Sequence, residues 1–145
     1  MTAAPATVVI DASVSLAWLL DVPDNSPALR DLFLKAFRRE CRVWVPALWH
    51  WECGNLLLGM VKRAVIQLPE VPGYLALMRY ANPEVDATPT VQIQHACIEL
   101  AHVTGLSYYD ASYVELALRQ KSSLATFDEK MKAAAQQLGV SCWDF

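Results

Sequence analysis

Four acidic residues stand where carboxylates could meet: Asp11, Glu52, Asp110 and Asp128. Asp11 closes the β-branched run Val8-Val9-Ile10 and precedes Ala12-Ser13, so it falls at the end of a strand and the start of a helix. Glu52 shares a helical column with Leu48 and Leu56, and an acid in an apolar column is costly to bury unless something pairs with it. Asn55, one turn on, is a second polar residue on the same side. Asp110 follows Ser107 in a near capping box and shares a column with Val114, Ala117 and Leu118. Asp128 follows a strand-like segment and opens the last helix. Each residue has a plainer role open to it: capping for Asp11, Asp110 and Asp128, a helix edge reaching water for Glu52. As a set they fit a single cleft. Carboxylates gathered in one cleft repel one another and raise each other's pKa, and a bound divalent cation reverses that logic. Oxygen ligands completed by water suit Mg²⁺ or Mn²⁺, which can generate hydroxide and neutralise a phosphodiester under displacement.

Other chemistries lack their residues. His50-Trp51-Glu52 matches the H-x-E half of a zinc deaminase, but no P-C-x-x-C follows. There is no H-E-x-x-H, no G-x-G-x-x-G and no Walker A loop. Asp11-Ala12-Ser13 lacks the second Asp, two residues on, that a haloacid-dehalogenase phosphatase needs. His95 and His102 lie seven apart on one helix, too far to chelate one metal easily, and are expected at the surface or against a partner. Tyr108, Tyr109 and Tyr113 could stack bases, although core or interface packing is the expected role.

The elements that must position these groups alternate along the chain. Strands are expected over residues 7–11, 42–45, 84–87 and 122–126, with an edge strand over 140–143. Helices are expected over 13–20, from a start at Asn25-Ser26-Pro27 to Glu40, and over 47–63 and 74–80. Three more run from a Thr88-Pro89 cap to Thr104, from Ser107 to Gln120, and from Asp128 to Gly139. The first helix should end before Asp21-Val22-Pro23, and Gln67 to Gly73 reads as a turn. This alternation implies βαβ units and a parallel sheet covered on both faces, with ligands bound at the carboxyl ends of the strands.

The 145 residues suit one domain, 1–145, large enough for a proper core. A net charge of −3 gives no global positive field. Basic residues cluster locally at Lys35, Arg38, Arg39 and Arg42, at Lys62-Arg63 and at Arg119 with Lys121, each readable as a solvated face. Five Trp and 54% hydrophobic residues point either to a Trp-rich core or to apolar surface for a dimer or protein partner. Trp18, Trp49 and Trp51 are the expected contacts for such a partner. Cys41, Cys53, Cys97 and Cys142 are spaced as buried free thiols. Met1 to Thr7 has no leader-like pattern and no stretch is long and apolar enough for a membrane span, so a cytoplasmic location is expected.

The motifs, in order, resemble PIN-domain ribonucleases, particularly the VapC-like toxins of bacterial toxin–antitoxin pairs. The likeness is carried by Val8 to Val14, by Val45-Pro46 through Trp51-Glu52 to Asn55, by Leu106 to Tyr113, by Leu124 to Asp128, and by the tail to Val140. It implies a three-layer α/β/α sandwich around a mainly parallel sheet, and a Mg²⁺- or Mn²⁺-dependent endoribonuclease that dimerises and is neutralised by a cognate antitoxin. Asp11, Glu52, Asp110 and Asp128 would form its acidic quartet. Asp11 and Asp110 would be direct metal ligands, Glu52 a ligand or water-positioning base, and Asp128 a more distant ligand acting through water. Ser13 and Thr126 match hydroxyl positions that orient carboxylates or water. Cys53-Gly54 and the turn from Pro69 to Gly73 depart from the family pattern, without touching the quartet. A catalytically silent RNA- or protein-binding module of the same fold is the alternative.

Overall fold

The computed structural model describes residues 6–20 and 26–145. Four parallel strands, β1 (Ala6–Ile10), β2 (Cys41–Val45), β3 (Glu84–Val85) and β4 (Ser123–Ala125), lie in the order β3-β2-β1-β4. Val8 stands opposite Val43 on one side and Ser123 on the other. With neighbours on both sides and layers above and below, β1 buries Val8, Val9 and Ile10 in succession, which is why the run shows no polar alternation.

Among the described residues, seven helices cover the sheet: α1 (Ala12–Leu19), α2 (Pro27–Phe37), α3 (Trp49–Lys62), α4 (Val71–Met78), α5 (Val91–Thr104), α6 (Tyr108–Arg119) and α7 (Glu129–Gln137). The crossovers from β1 to β2 to β3 step one way across the sheet, and that from β3 to β4 steps back. Right-handed connections therefore put their helices on opposite faces. Accordingly α1 packs with α2, α3 and α4, while α6 lies on β1, β2 and β4 beside α5 and α7. The result is the expected α/β/α sandwich. Among the described residues, no helix is long and apolar enough to cross a membrane.

The elements differ from expectation in four places. Residues 67–73 are not simply a turn: a 3-10 turn over Leu68–Glu70 leads directly into α4 at Val71. Pro72 sits in the first turn of that helix, where its missing N–H leaves no bond unmade. The departure from the family pattern seen there in the sequence therefore closes up. Thr90, not Thr88-Pro89, caps α5, accepting from the Ile93 N–H at 3.3 Å. β3 is shorter than expected, although the Asp86 N–H still bonds to the Val45 carbonyl at 2.8 Å. The strand expected over 140–143 reduces to one parallel bridge between Leu124 and Cys142. The expected break at Asp21-Val22-Pro23 and the Asn25 part of the α2 start lie outside the described residues; Ser26, which is described, caps α2.

Trp49 is a core residue and cannot be the partner contact expected of it. It is 2% exposed and lies on the buried stripe Trp49, Cys53, Leu57 and Met60 of α3. Its indole Nε1–H donates to Ser15 Oγ at 2.9 Å, and that hydroxyl donates to the Asp11 carbonyl at 3.1 Å. Trp51, two residues on and so on the opposite side of the helix, is 83% exposed. Trp18 is half-buried, donating to the Leu29 carbonyl. The cysteines are free thiols, with Cys41, Cys53 and Cys97 buried and Cys142 half-buried.

Denaturant unfolding separates the two indoles. Trp49→Ala is expected to cost about 3–5 kcal/mol and Trp51→Ala to stay within about 0.5 kcal/mol of the parent.

Candidate active site

Because all four strands run the same way, their carboxyl ends share one edge of the sheet, and the loops leaving that edge deliver the acids. Asp11 is the first residue after β1 and caps α1; Asp128 follows β4 and caps α7. Glu52 and Asp110 stand in the first turns of α3 and α6. All four line one cleft of about 420 Å³, together with Ser13, Asn55 and Tyr113.

Asp11 is the most constrained of them. It is 6% exposed, and its carboxylate accepts three hydrogen bonds. Ser13 Oγ donates to Oδ1 at 2.7 Å, the Val14 N–H to the same oxygen at 2.9 Å, and Thr126 Oγ1 to Oδ2 at 2.5 Å. Thr126 also accepts from the Asp128 N–H at 3.0 Å, so one hydroxyl ties the end of β4 to the end of β1. Ser13 and Thr126 thus both touch the Asp11 carboxylate. Capping and cleft-lining coexist in Asp11 and again in Asp128, whose Oδ1 accepts from the Met131 N–H.

Glu52 is half-buried, and its Oε1 accepts from the Tyr113 hydroxyl at 2.7 Å. Tyr113 is itself 1% exposed, so base stacking is closed to it. Its part here was not visible from composition, but Tyr113 lies three residues after Asp110 and therefore on the same face of α6. Asn55 lines the cleft from the exposed side of α3. His95 and His102 are exposed on α5 and take no part.

The electrostatics are one-sided. Among the described residues, no Lys, Arg or His lines the cleft. Burial pushes the Asp11 carboxyl above its ordinary range, the bonds from Thr126, Ser13 and Val14 pull it back, and the Asp128 charge pushes it up again. Burial also raises Glu52; the Tyr113 bond opposes this, and the charges of Asp110 and Asp11 add to it. Cys53, beside Glu52, is pushed up to about 12 by burial first and by Glu52 and Asp11 next, and it is buried away from the cleft.

What remains is an oxygen-only donor set, which fits a hard divalent cation. Among the described residues, no three His, Cys, Asp or Glu side chains close into a ready chelating cluster. The carboxylates come from four elements, the caps of α1 and α7 and the first turns of α3 and α6, so water would have to complete the shell of an ion they held.

A carboxyl whose pKa is higher in the folded than in the unfolded chain binds more protons when folded, so stability falls as pH rises between the two values. Asp11→Asn removes that penalty: the amide oxygen can still accept from Ser13 Oγ and the Val14 N–H, and the amide nitrogen can donate to Thr126 Oγ1 in place of accepting from it. The metal-free Asp11→Asn chain is therefore expected to melt at a higher temperature than the parent at neutral pH. The difference should shrink as pH falls toward the ordinary aspartate range, in melts followed by circular dichroism.

A parallel α/β/α sheet with an acid-lined cleft at its carboxyl edge defines the class, and the sequence matches the PIN domain over residues 8–137. The chain belongs to the PIN domain family, whose members are generally nucleases. Its architecture is similar to that of PAE2754 from Pyrobaculum aerophilum, with a TM-score of 0.71 and 23% identity, covering 94% of this chain and 89% of that one. It is also similar to FitAcB from Neisseria gonorrhoeae, with a TM-score of 0.57 and 18% identity, covering 94% and 96%. At these identities the likeness is one of fold. The curated proteins contain no significant match to the sequence.

Proposed function

We propose that this protein is a Mg²⁺- or Mn²⁺-dependent endoribonuclease acting as the toxin of a toxin–antitoxin pair. The observation that carries the nuclease reading is the cleft itself. Four carboxylates face one space without a cationic side chain, and the most buried of them is held by three donors. The toxin reading rests on the ordered motifs of the sequence. Exposed apolar side chains at Phe37, Leu75, Leu77 and Tyr80 support a chain that works with partners, a second copy and an antitoxin.

Asp11 and Asp110 are the residues assigned to hold the cation, with Asp128 reaching it through water. When bound, the cation supplies an activated water and neutralises charge on the phosphodiester. The chain's own residues do the rest. Ser13, Val14 and Thr126 fix the plane of the Asp11 carboxylate, so that it needs no reorganisation when substrate arrives. Tyr113 holds Oε1 of Glu52 and leaves Oε2 to orient the attacking water and accept its proton. Asn55 offers an amide at the mouth of the cleft for a substrate oxygen.

Two measurements test this reading. Purified protein should cut total cellular RNA into discrete products with Mn²⁺ or Mg²⁺. Products should vanish with chelator and fall at least about 100-fold in Asp11→Asn. Uncut RNA with well-folded, antitoxin-free protein would move the chain to a silent binding module. The second measurement is the pH–rate profile of Tyr113→Phe. The Tyr113 hydroxyl favours the ionised form of Glu52, so its loss raises the Glu52 pKa further. The acidic limb of kcat/KM should therefore move to higher pH. An unmoved limb would remove Glu52 from the proton-accepting role.

A further inference from the structure

Beside the acidic cleft lies a second, apolar recess of about 250 Å³, formed between the start of α3, the start of α6 and the segment leading into α5. Its walls include Trp51, Tyr108, Tyr109, Pro46, Pro89 and Ile93. Trp51 immediately precedes Glu52, and Tyr109 immediately precedes Asp110. Successive residues on a helix point about 100° apart. Both helices therefore divide their first turns in the same way, with the acid in the cleft and the aromatic ring in the recess next to it. Trp51 is 83% exposed and Tyr109 63% exposed, with Tyr108 set edge-on to Tyr109 at 6.0 Å between ring centroids.

The two carboxylates and the serine hydroxyl of the recess are already engaged. Asp86 and Glu115 are both paired with Arg119, at 2.5 and 2.8 Å, and Ser112 Oγ donates to the Tyr109 carbonyl at 2.6 Å. The recess therefore offers mainly the ring faces of Trp51, Tyr108 and Tyr109, whose N–H and O–H groups sit at the ring edges, and among the described residues no Lys or Arg lines it. Flat and largely apolar is the chemistry of a nucleobase face. Resting on the nuclease reading of the adjoining cleft, we infer that Trp51 and Tyr109 form a stacking subsite for one unpaired base of a single-stranded RNA, flanking the phosphate held in the cleft. Such stacking tolerates any base, and it rejects a duplex whose bases stay paired in their own stack.

The test measures binding, so it stands apart from whether the chain cleaves. Glu52→Gln protein, silenced at the proton acceptor with both assigned cation ligands kept, is titrated in Mn²⁺ buffer with a short mixed-sequence RNA as single strand, as duplex, and as single strand carrying abasic sugars. Trp51→Ala and Tyr109→Ala, each added to Glu52→Gln, should weaken single-strand binding about tenfold. Trp51→Phe should keep the affinity and lose the part of the tryptophan quenching that the RNA causes. Abasic and duplex strands should bind weakly and equally to all variants. Single-strand binding unchanged by both truncations would overturn the subsite, as would abasic strands binding as tightly as intact ones. So would a folded chain that binds no RNA, or a recess whose mutation weakens only the capture of a protein partner.

Discussion

The structure turns on one buried carboxylate. Asp11 sits at the carboxyl end of the central strand β1, where burial opposes its charge and three donors hold it. That balance ties the site to the fold. Ser13 and Val14 come from the helix that Asp11 caps, and Thr126 from the end of the neighbouring strand β4. A slip of one residue between β1 and β4 would turn Thr126 away and leave the carboxylate with only its local partners. The parallel register and the chemistry are therefore one constraint.

The other layers converge on the same residue. The Trp49 indole reaches Ser15, and Ser15 reaches the Asp11 carbonyl, so the core of α3 fixes the backbone on which the carboxylate rides. Tyr113 crosses from α6 to Glu52 on α3, linking helices on opposite faces of the sheet through the cleft. Arg119, bonded to both Asp86 and Glu115, ties the segment after β3 to α6 and so holds the outer wall of the aromatic recess. Precision at the site comes from these supports, since the acids themselves repel.

Much of this was legible in the sequence, for identifiable reasons. Buried parallel strands show continuous β-branched runs, and capped helices show Ser107, Asp128 and Gly105 at their ends, so the alternation of elements and the α/β/α class followed from local signals. Strand ends and first turns are places where topology gathers residues, which made Asp11, Glu52, Asp110 and Asp128 visible as a set. Tertiary context hid the rest. Pro72-Gly73 reads as a break, yet a proline in a first turn does not stop a helix. Trp49 and Trp51 look alike as letters, and only the stripe Trp49, Cys53, Leu57 and Met60 tells which one is inside. Glu52 lies at the margin of that stripe, which is why its column looked apolar while its carboxylate still reaches the cleft. Tyr113 was hidden because a tyrosine on a core face is usually packing, and its hydroxyl partner is 61 residues away in sequence.

The proposed cation site includes two carboxyls, Asp11 and Glu52, that burial pushes toward the protonated form. Its sharpest test is calorimetric titration of Mn²⁺ into the chain at mildly acidic pH, repeated in buffers of different ionisation enthalpy. Saturable binding accompanied by proton release is expected, because the ion displaces protons from the raised carboxyls of Asp11 and Glu52. Both the binding and the release should be lost in Asp11→Asn. Equal Mn²⁺ binding by the parent and Asp11→Asn chains, with no protons released, would contradict it.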